Sequence, residues 1–109
     1  MALSTVIPVS DLKAAKATYG ALLGVAPHTD SPYYVGFNVD GHEIGLAKKG
    51  TTGADSPVLI ADVAKLDELR AGLLAQGAKE VSAPRTVAPG VRVCVLADAD
   101  GNPFGLRGA

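Results

Sequence analysis

The sequence has few of the features that mark a secreted, membrane-bound or nucleic-acid-binding chain. Its 109 residues include one cysteine, Cys94, so no disulfide framework is possible and a reducing, cytoplasmic setting is expected. Ten Lys and Arg residues stand against 11 Asp and Glu, a balance that argues against a phosphate-rich partner. No apolar run approaches the ~20 residues that span a membrane, and no secretory signal is visible. We therefore expect a small soluble domain without nucleic-acid or membrane partners.

Aromatic residues are also scarce, whereas glycine and proline are common. The chain has no Trp, 3 Tyr and 2 Phe, but 13 Gly and 7 Pro. Its hydrophobic fraction of 48% is too high for a disordered chain. The many glycines and prolines instead predict short elements separated by frequent turns.

The pattern of predicted elements occurs twice along the chain. In each half, a short apolar strand precedes a helix, and three further strands follow. The first half has strands at 5–9, 33–39 and 42–47, a helix at 11–23 and at most one short strand in 25–32. The second half has strands at 57–61, 78–83, 91–96 and 103–107, a helix from 63 to about 77 with Asp62 as its candidate N-cap, and a loop at 84–90.

Two local motifs support this internal repeat. Residues 9–12 (VSDL) match 60–63 (IADV), and residues 40–46 (DGHEIGL) match 100–106 (DGNPFGL). A repeat of this length predicts two equivalent structural units. We therefore predict a single domain made of one module at about 1–49 and another at about 57–109, with a linker at about 49–56.

Three motifs resemble the vicinal oxygen chelate superfamily, which includes glyoxalase I, bleomycin resistance proteins, extradiol dioxygenases and fosfomycin resistance enzymes. They are Val9-Ser10-Asp11-Leu12, Tyr19-Gly20-Ala21-Leu22-Leu23-Gly24 and Asp98-Ala99-Asp100-Gly101-Asn102. The last is similar to the family's Asp-Pro-Asp-Gly-Asn turn, with Ala99 in place of proline. The resemblance implies an α+β fold in which two βαβββ modules form a cupped mixed sheet. Helices would cover its convex face, and the site would lie on the concave face.

The resemblance also implies where a metal ion would be held in metal-dependent members. These place His or Gln near the start of each module's first strand and Glu on its last strand. Carried over by position, the ligands fall near Ser4 and Asp55 and at Gly45 and Gly105. Glycine has no side-chain donor and a serine hydroxyl is a poor ligand. With His28 and His42 interpreted as surface or turn residues, we expect neither a metal ion nor another cofactor.

Five residues are candidates for ligand binding, and none is assigned a catalytic role: Tyr34, Asn38, Glu43, Arg92 and Cys94. Tyr34 and Asn38 would suit either a flat, partly polar ligand or a cross-strand pair at a dimer contact. Arg92 is an anchor for a carboxylate or phosphate, half of a structural ion pair with Glu43 or Asp98, or an exposed residue at the rim of the cup. Cys94 is either a nucleophile or a small apolar side chain in the strand.

Strand alternation predicts which side chains face the cup. The apolar sets Tyr33, Val35, Phe37 and Val91, Val93, Val95 are expected to face the helices, whereas Tyr34, Asn38, Arg92, Cys94 and Leu96 face the concave side. Gly36, Gly45 and Gly105 would leave open space if they face the cup. The predicted concave face is therefore partly polar and roomy.

Three hypotheses about function remain open from the sequence. The first is a metal-free, homodimeric protein that binds a small molecule, and the resemblance to bleomycin resistance proteins implies sequestration of a toxic compound or natural product. The second is a lyase or isomerase on the same scaffold, with an unconventional metal site or with Glu43 or Asp55 as its acid–base group. The third is a protein whose cup is closed by the dimer contact.

Overall fold

Each half of the chain folds into a strand, a helix and three strands, as the repeat predicts. The computed structural model describes all 109 residues. The elements are β1 (Leu3–Val9), α1 (Leu12–Leu23), β2 (Thr29–Asp30), β3 (Tyr34–Val39), β4 (His42–Lys48), β5 (Val58–Asp62), α2 (Leu66–Ala75), β6 (Lys79–Ala88), β7 (Val91–Ala97) and β8 (Pro103–Gly108). Neither helix, at 12 and 10 residues, is long and apolar enough to cross a membrane.

The eight strands form one mixed sheet in the order β2-β3-β4-β1-β5-β8-β7-β6. Within each module the first strand runs parallel to the last, so β1 pairs with β4 and β5 pairs with β8. The modules join edge to edge through antiparallel pairing of β1 with β5, which places Ser4 opposite Ile60. The predicted α+β fold of two βαβββ modules is confirmed.

Local signals explain the bounds of α1. The Asp11 carboxylate accepts a hydrogen bond from the Ala14 N–H at 3.1 Å, and Gly24 adopts the left-handed conformation at φ 69° that ends many helices. The helix packs Leu12 and Tyr19 onto a buried cluster of Val35, Phe37 and Leu46 from β3 and β4. The face of α1 that carries Leu12 and Tyr19 therefore covers the sheet.

The second module differs from the sequence prediction at two elements. Asp62 does not cap α2, because the Asp62 N–H donates to the Ala2 carbonyl and extends β5, and the helix begins only at Leu66. The predicted loop at 84–90 is largely strand, since β6 continues to Ala88 through irregular pairing with β7. Pro84 is tolerated there because β6 is an edge strand of the sheet.

The predicted orientation of β7 is wrong. Cys94 is buried beneath α2 with Leu66 and Leu106, whereas Val95 packs with Val58 and Ile60 in a separate cluster. Arg92 and Cys94 therefore lie on the helix-covered face, and Val93 and Val95 on the other. The alternation misleads because Cys94, Val95, Leu96 and Ala97 are all buried, so neither face of the strand is marked as solvent-exposed.

Candidate functional site

A pocket of about 550 Å³ lies on the concave face and is lined by both modules. Its apolar lining includes Val6, Ala47, Ile60, Val87 and Val93. Its polar lining includes Ser4, His28, Tyr34, Glu43, Arg85 and Arg107. By strand order, His28, Tyr34 and Glu43 of module one are separated from the arginines of module two by the central strands β1 and β5. This volume and mixture of groups are typical of small-molecule sites.

A chain of hydrogen bonds runs through the polar residues of module one. The Tyr34 hydroxyl donates to Glu43 Oε2 at 2.6 Å, and His28 Nε2 lies 2.6 Å from Glu43 Oε1. The other ring nitrogen, His28 Nδ1, lies 2.8 Å from Thr29 Oγ1. Both oxygens of Glu43 are therefore engaged by groups that fix its orientation at the pocket wall.

Two glycines make room for the Tyr34 ring. A Cβ atom on Gly45 would collide with the Tyr34 hydroxyl and lie only 2.6 Å from Tyr34 Cε1. A Cβ atom on Gly36 would lie 2.7 Å from Glu43 Oε2 and 2.8 Å from Tyr34 Cε2. Because Gly36 and Gly45 are paired across β3 and β4, the ring lies over both of them. The prediction that these glycines leave open space is wrong, since Tyr34, Glu43 and His28 fill it.

The positions implied for metal ligands do not form a ligand set. The strand register places Val6 beside Gly45 and Ile60 beside Gly105, and Ile60 Cγ1 would lie 2.9 Å from a Cβ on Gly105. Asp55 precedes β5 and lies outside the sheet. Nowhere in the chain do three or more His, Cys, Asp or Glu side chains converge as metal ligands. The side chains at these positions do not fit the family's metal site.

Burial controls the protonation of Tyr34. Its partial burial, followed by the hydrogen bond and the negative charge of Glu43, raises the pKa of Tyr34 well above its usual range. The positive charge of Arg107 opposes this shift only in part. Tyr34 is therefore a hydrogen-bond donor in the pocket at neutral pH.

Three of the five candidate residues lie outside the pocket. Arg92 forms a two-bond ion pair with Asp67 at 2.7 and 3.1 Å, so the predicted partners Glu43 and Asp98 are both wrong. Asp98 instead accepts hydrogen bonds within its own turn. Asn38 accepts from the Gly41 N–H at 3.1 Å and stabilises the hairpin.

Cys94 is the third of these residues. It is completely buried beneath α2, and burial raises the pKa of its thiol. A nucleophilic thiol needs access and a stabilised thiolate, and Cys94 has neither.

Tyr34 and Glu43 do line the pocket, and their role in ligand binding stays a prediction. The five candidates did not include His28, Arg85 or Arg107, which also line the pocket. His28 reaches the site because its backbone N–H donates to the Gly36 carbonyl at 2.9 Å. No sequence motif links these two residues, so the contact could not be predicted. His42 is placed elsewhere and hydrogen-bonds Thr5 at 3.0 Å.

We predict that Cys94 does not react with a water-soluble aromatic disulfide reagent in the folded protein. Burial beneath α2 excludes the reagent and disfavours the thiolate that would attack it. Labelling should become stoichiometric only after unfolding in denaturant. Rapid labelling of the folded chain would contradict this placement.

Paired βαβββ modules around a concave pocket define the class of fold. The chain belongs to the glyoxalase/bleomycin resistance protein/dioxygenase superfamily, whose family model matches residues 2–106. No curated protein matches the chain.

Solved structures extend the comparison at the level of fold. An NAD-dependent benzaldehyde dehydrogenase from Legionella pneumophila is 19% identical, with a TM-score of 0.81 and 96% of each chain covered. A superfamily member from Vibrio splendidus 12B01 is 14% identical, with a TM-score of 0.72 and 96% of each chain covered. Methylmalonyl-CoA epimerase from Mycobacterium tuberculosis is 21% identical, with a TM-score of 0.70 over 95% of this chain and 84% of that chain. At these identities the likeness shows the fold alone.

Proposed function

We propose that the protein binds a small organic molecule in the concave pocket without a metal ion. The observation that carries this proposal is the pocket of about 550 Å³, whose apolar lining comes from both modules and whose polar lining includes the hydrogen-bonded set of Tyr34, Glu43 and His28. The implied metal-ligand positions hold Ser4, Asp55, Gly45 and Gly105, two of which have no side-chain donor, and this supports binding without metal.

Sequestration of a toxic compound or natural product is the role that this proposal favours. Binding alone removes such a molecule from solution and requires no reacting group.

The proposal includes a cytoplasmic location, since the single cysteine cannot form a disulfide within the chain. It also includes a homodimer, and a sedimentation mass equal to the 11.0 kDa monomer at micromolar concentration would contradict that part.

Thermal denaturation across a panel of antibiotics, natural products and metabolites tests the binding proposal. A ligand at about 100 times its dissociation constant should add about 2.7 kcal/mol to the free energy of unfolding. Val87→Trp should weaken binding because Val87 lines the pocket, whereas Val81→Trp is the control on the same strand, outside the pocket. If no compound stabilises the protein, or if both variants weaken binding equally, the proposal fails.

The hydrogen-bonded chain of Tyr34, Glu43 and His28 favours a second candidate function, proton transfer by an isomerase or lyase. The Glu43 carboxylate would accept a proton from a carbon next to a carbonyl group, and the Tyr34 hydroxyl would then turn from Glu43 to donate a hydrogen bond to the developing charge. Asp55, the other acid–base candidate, is exposed in the linker and does not line the pocket.

Deuterium exchange tests this second candidate. The structural likeness to methylmalonyl-CoA epimerase makes methylmalonyl-CoA in D₂O a suitable first substrate. Catalysed exchange should be at least about a hundredfold weaker in Glu43→Gln, because loss of a general base removes a factor of that order. Exchange that is absent from the wild type, or equal in Glu43→Gln, would refute the assignment.

A further inference from the structure

The four arginines of the chain differ in what they bind. Arg70 pairs with Glu80 and Arg92 pairs with Asp67, so both of these charges are neutralised by carboxylates. Arg85 and Arg107 line the concave pocket and form no ion pair. The arginines without an internal counter-ion are therefore the two that face the pocket.

Arg107 has the most freedom to bind a ligand. Its guanidinium makes no hydrogen bond within the chain, whereas Arg85 donates to the Thr51 carbonyl. In the sheet, Arg107 stands opposite Val93 of β7 and Asp62 of β5, and Asp62 forms no ion pair with it. Both pocket arginines are exposed, so a molecule entering from solvent can reach their donors.

The pocket offers these arginines no carboxylate that is free of other partners. Glu43 is the one acidic residue in the lining, and its oxygens are engaged by Tyr34 and His28. The lining therefore carries two guanidinium groups against one carboxylate. A guanidinium presents a planar set of donors that matches the oxygens of a carboxylate or phosphate.

We propose that Arg107, assisted by Arg85, binds an oxyanion group of the pocket's ligand, a carboxylate or a phosphate. The apolar body of that ligand would lie against Val6, Ile60 and Val93, which line the pocket beside Arg107. This inference rests on the proposed function, because it names the class of molecule that the pocket binds.

Matched anionic and neutral probes test the inference directly. Binding of 3-phenylpropionate and 3-phenylpropyl phosphate is measured by calorimetry or amide chemical shifts against 3-phenylpropanamide and 3-phenylpropanol, which share the same apolar body. At least one anion should bind the wild type about tenfold more tightly than its neutral partner, and added salt should reduce this preference. The preferred anion identifies carboxylate or phosphate as the recognised group.

Two variants locate the preference. Arg107→Met should reduce the anionic preference to within about twofold while leaving affinity for the neutral probes unchanged, since the apolar lining is retained. Arg92→Met is the matched control, because it removes the same charge from the helix-covered face. Arg107→Lys should recover part of the preference through its charge.

The outcomes separate this inference from the proposed function. If neutral probes bind as tightly as anions, or if the anionic preference survives Arg107→Met, the arginine assignment is wrong and the binding pocket stands. If none of the four probes binds at millimolar concentration, while the compound panel does yield a ligand, the oxyanion class is wrong. If neither the probes nor the panel gives binding, both proposals are wrong.

Discussion

Gly45→Val is expected to lower the free energy of unfolding by about 2–3 kcal/mol, because it overfills the space that the Tyr34 ring occupies. Even a Cβ at this position would lie 2.6 Å from Tyr34 Cε1, so the ring must move away from its bond with Glu43. At a strand position with room for a side chain, the same change should raise the free energy of unfolding, because valine favours β structure and glycine does not. Urea denaturation of both proteins measures the difference and its sign.

Two further variants make this result specific. Gly72→Ala is the control, because a Cβ on that α2 residue meets nothing within 4 Å and should add about 0.5–1 kcal/mol through helix propensity. Tyr34→Ala clears the ring, so combining it with Gly45→Val should cost less than the sum of the two single changes. An increase in stability from Gly45→Val alone would show that the space next to Gly45 is not filled by the Tyr34 ring.

The fold could be predicted because its signals are local in sequence. The Asp11 cap, the Gly24 helix end and the Asp40-Gly41 turn each act within a few residues of their own position. The repeat carries the same residue motifs into the second half, so the paired modules follow from it, although Asp62 does not form the cap that Asp11 forms. The start of α2 was missed because Asp62 is held in β5 by a bond to Ala2, which lies 60 residues away in sequence.

The site could be predicted only in part. Tyr34 was placed on the concave face because β3 has one clearly buried side, with Val35 and Phe37 facing α1. No comparable contrast exists in β7, which is buried on both faces, so Arg92 and Cys94 were assigned to the wrong side. The alternation of residues in one sequence cannot tell which face of such a strand points to the pocket, because that depends on which elements cover each face.

The residues that complete the pocket depend on long-range pairing. His28 meets Glu43 only because β2 pairs with β3 and β3 with β4, and Arg85 reaches the pocket only because β6 continues where a loop was expected. The vacant space expected above the glycines is likewise occupied by a side chain from the neighbouring strand. The glycine that stands at an implied metal-ligand position, Gly45, therefore does not leave a vacant space, because the Tyr34 ring packs over it.

The stability that Tyr34 contributes is expected to decline above about pH 10, where an unfolded tyrosine ionises. Its folded pKa is raised by burial and then by Glu43, so the folded state keeps its proton after the unfolded state has lost it. The folded state then binds more protons, and stability must fall as pH rises. The contribution is complete below about pH 10 and should shrink by about 1 kcal/mol over the next pH unit.

Tyr34→Phe isolates this effect from the other groups that ionise in alkali. At neutral pH the variant should be less stable by about 1.5–3 kcal/mol, because it lacks the hydrogen bond to the Glu43 carboxylate. Urea denaturation at intervals between about pH 7 and pH 11 should show a constant difference from the wild type up to about pH 10 and a narrowing difference beyond it. A difference that stays constant to about pH 11 would mean that Tyr34 ionises alike in both states, and hence that Glu43 and burial do not hold its proton.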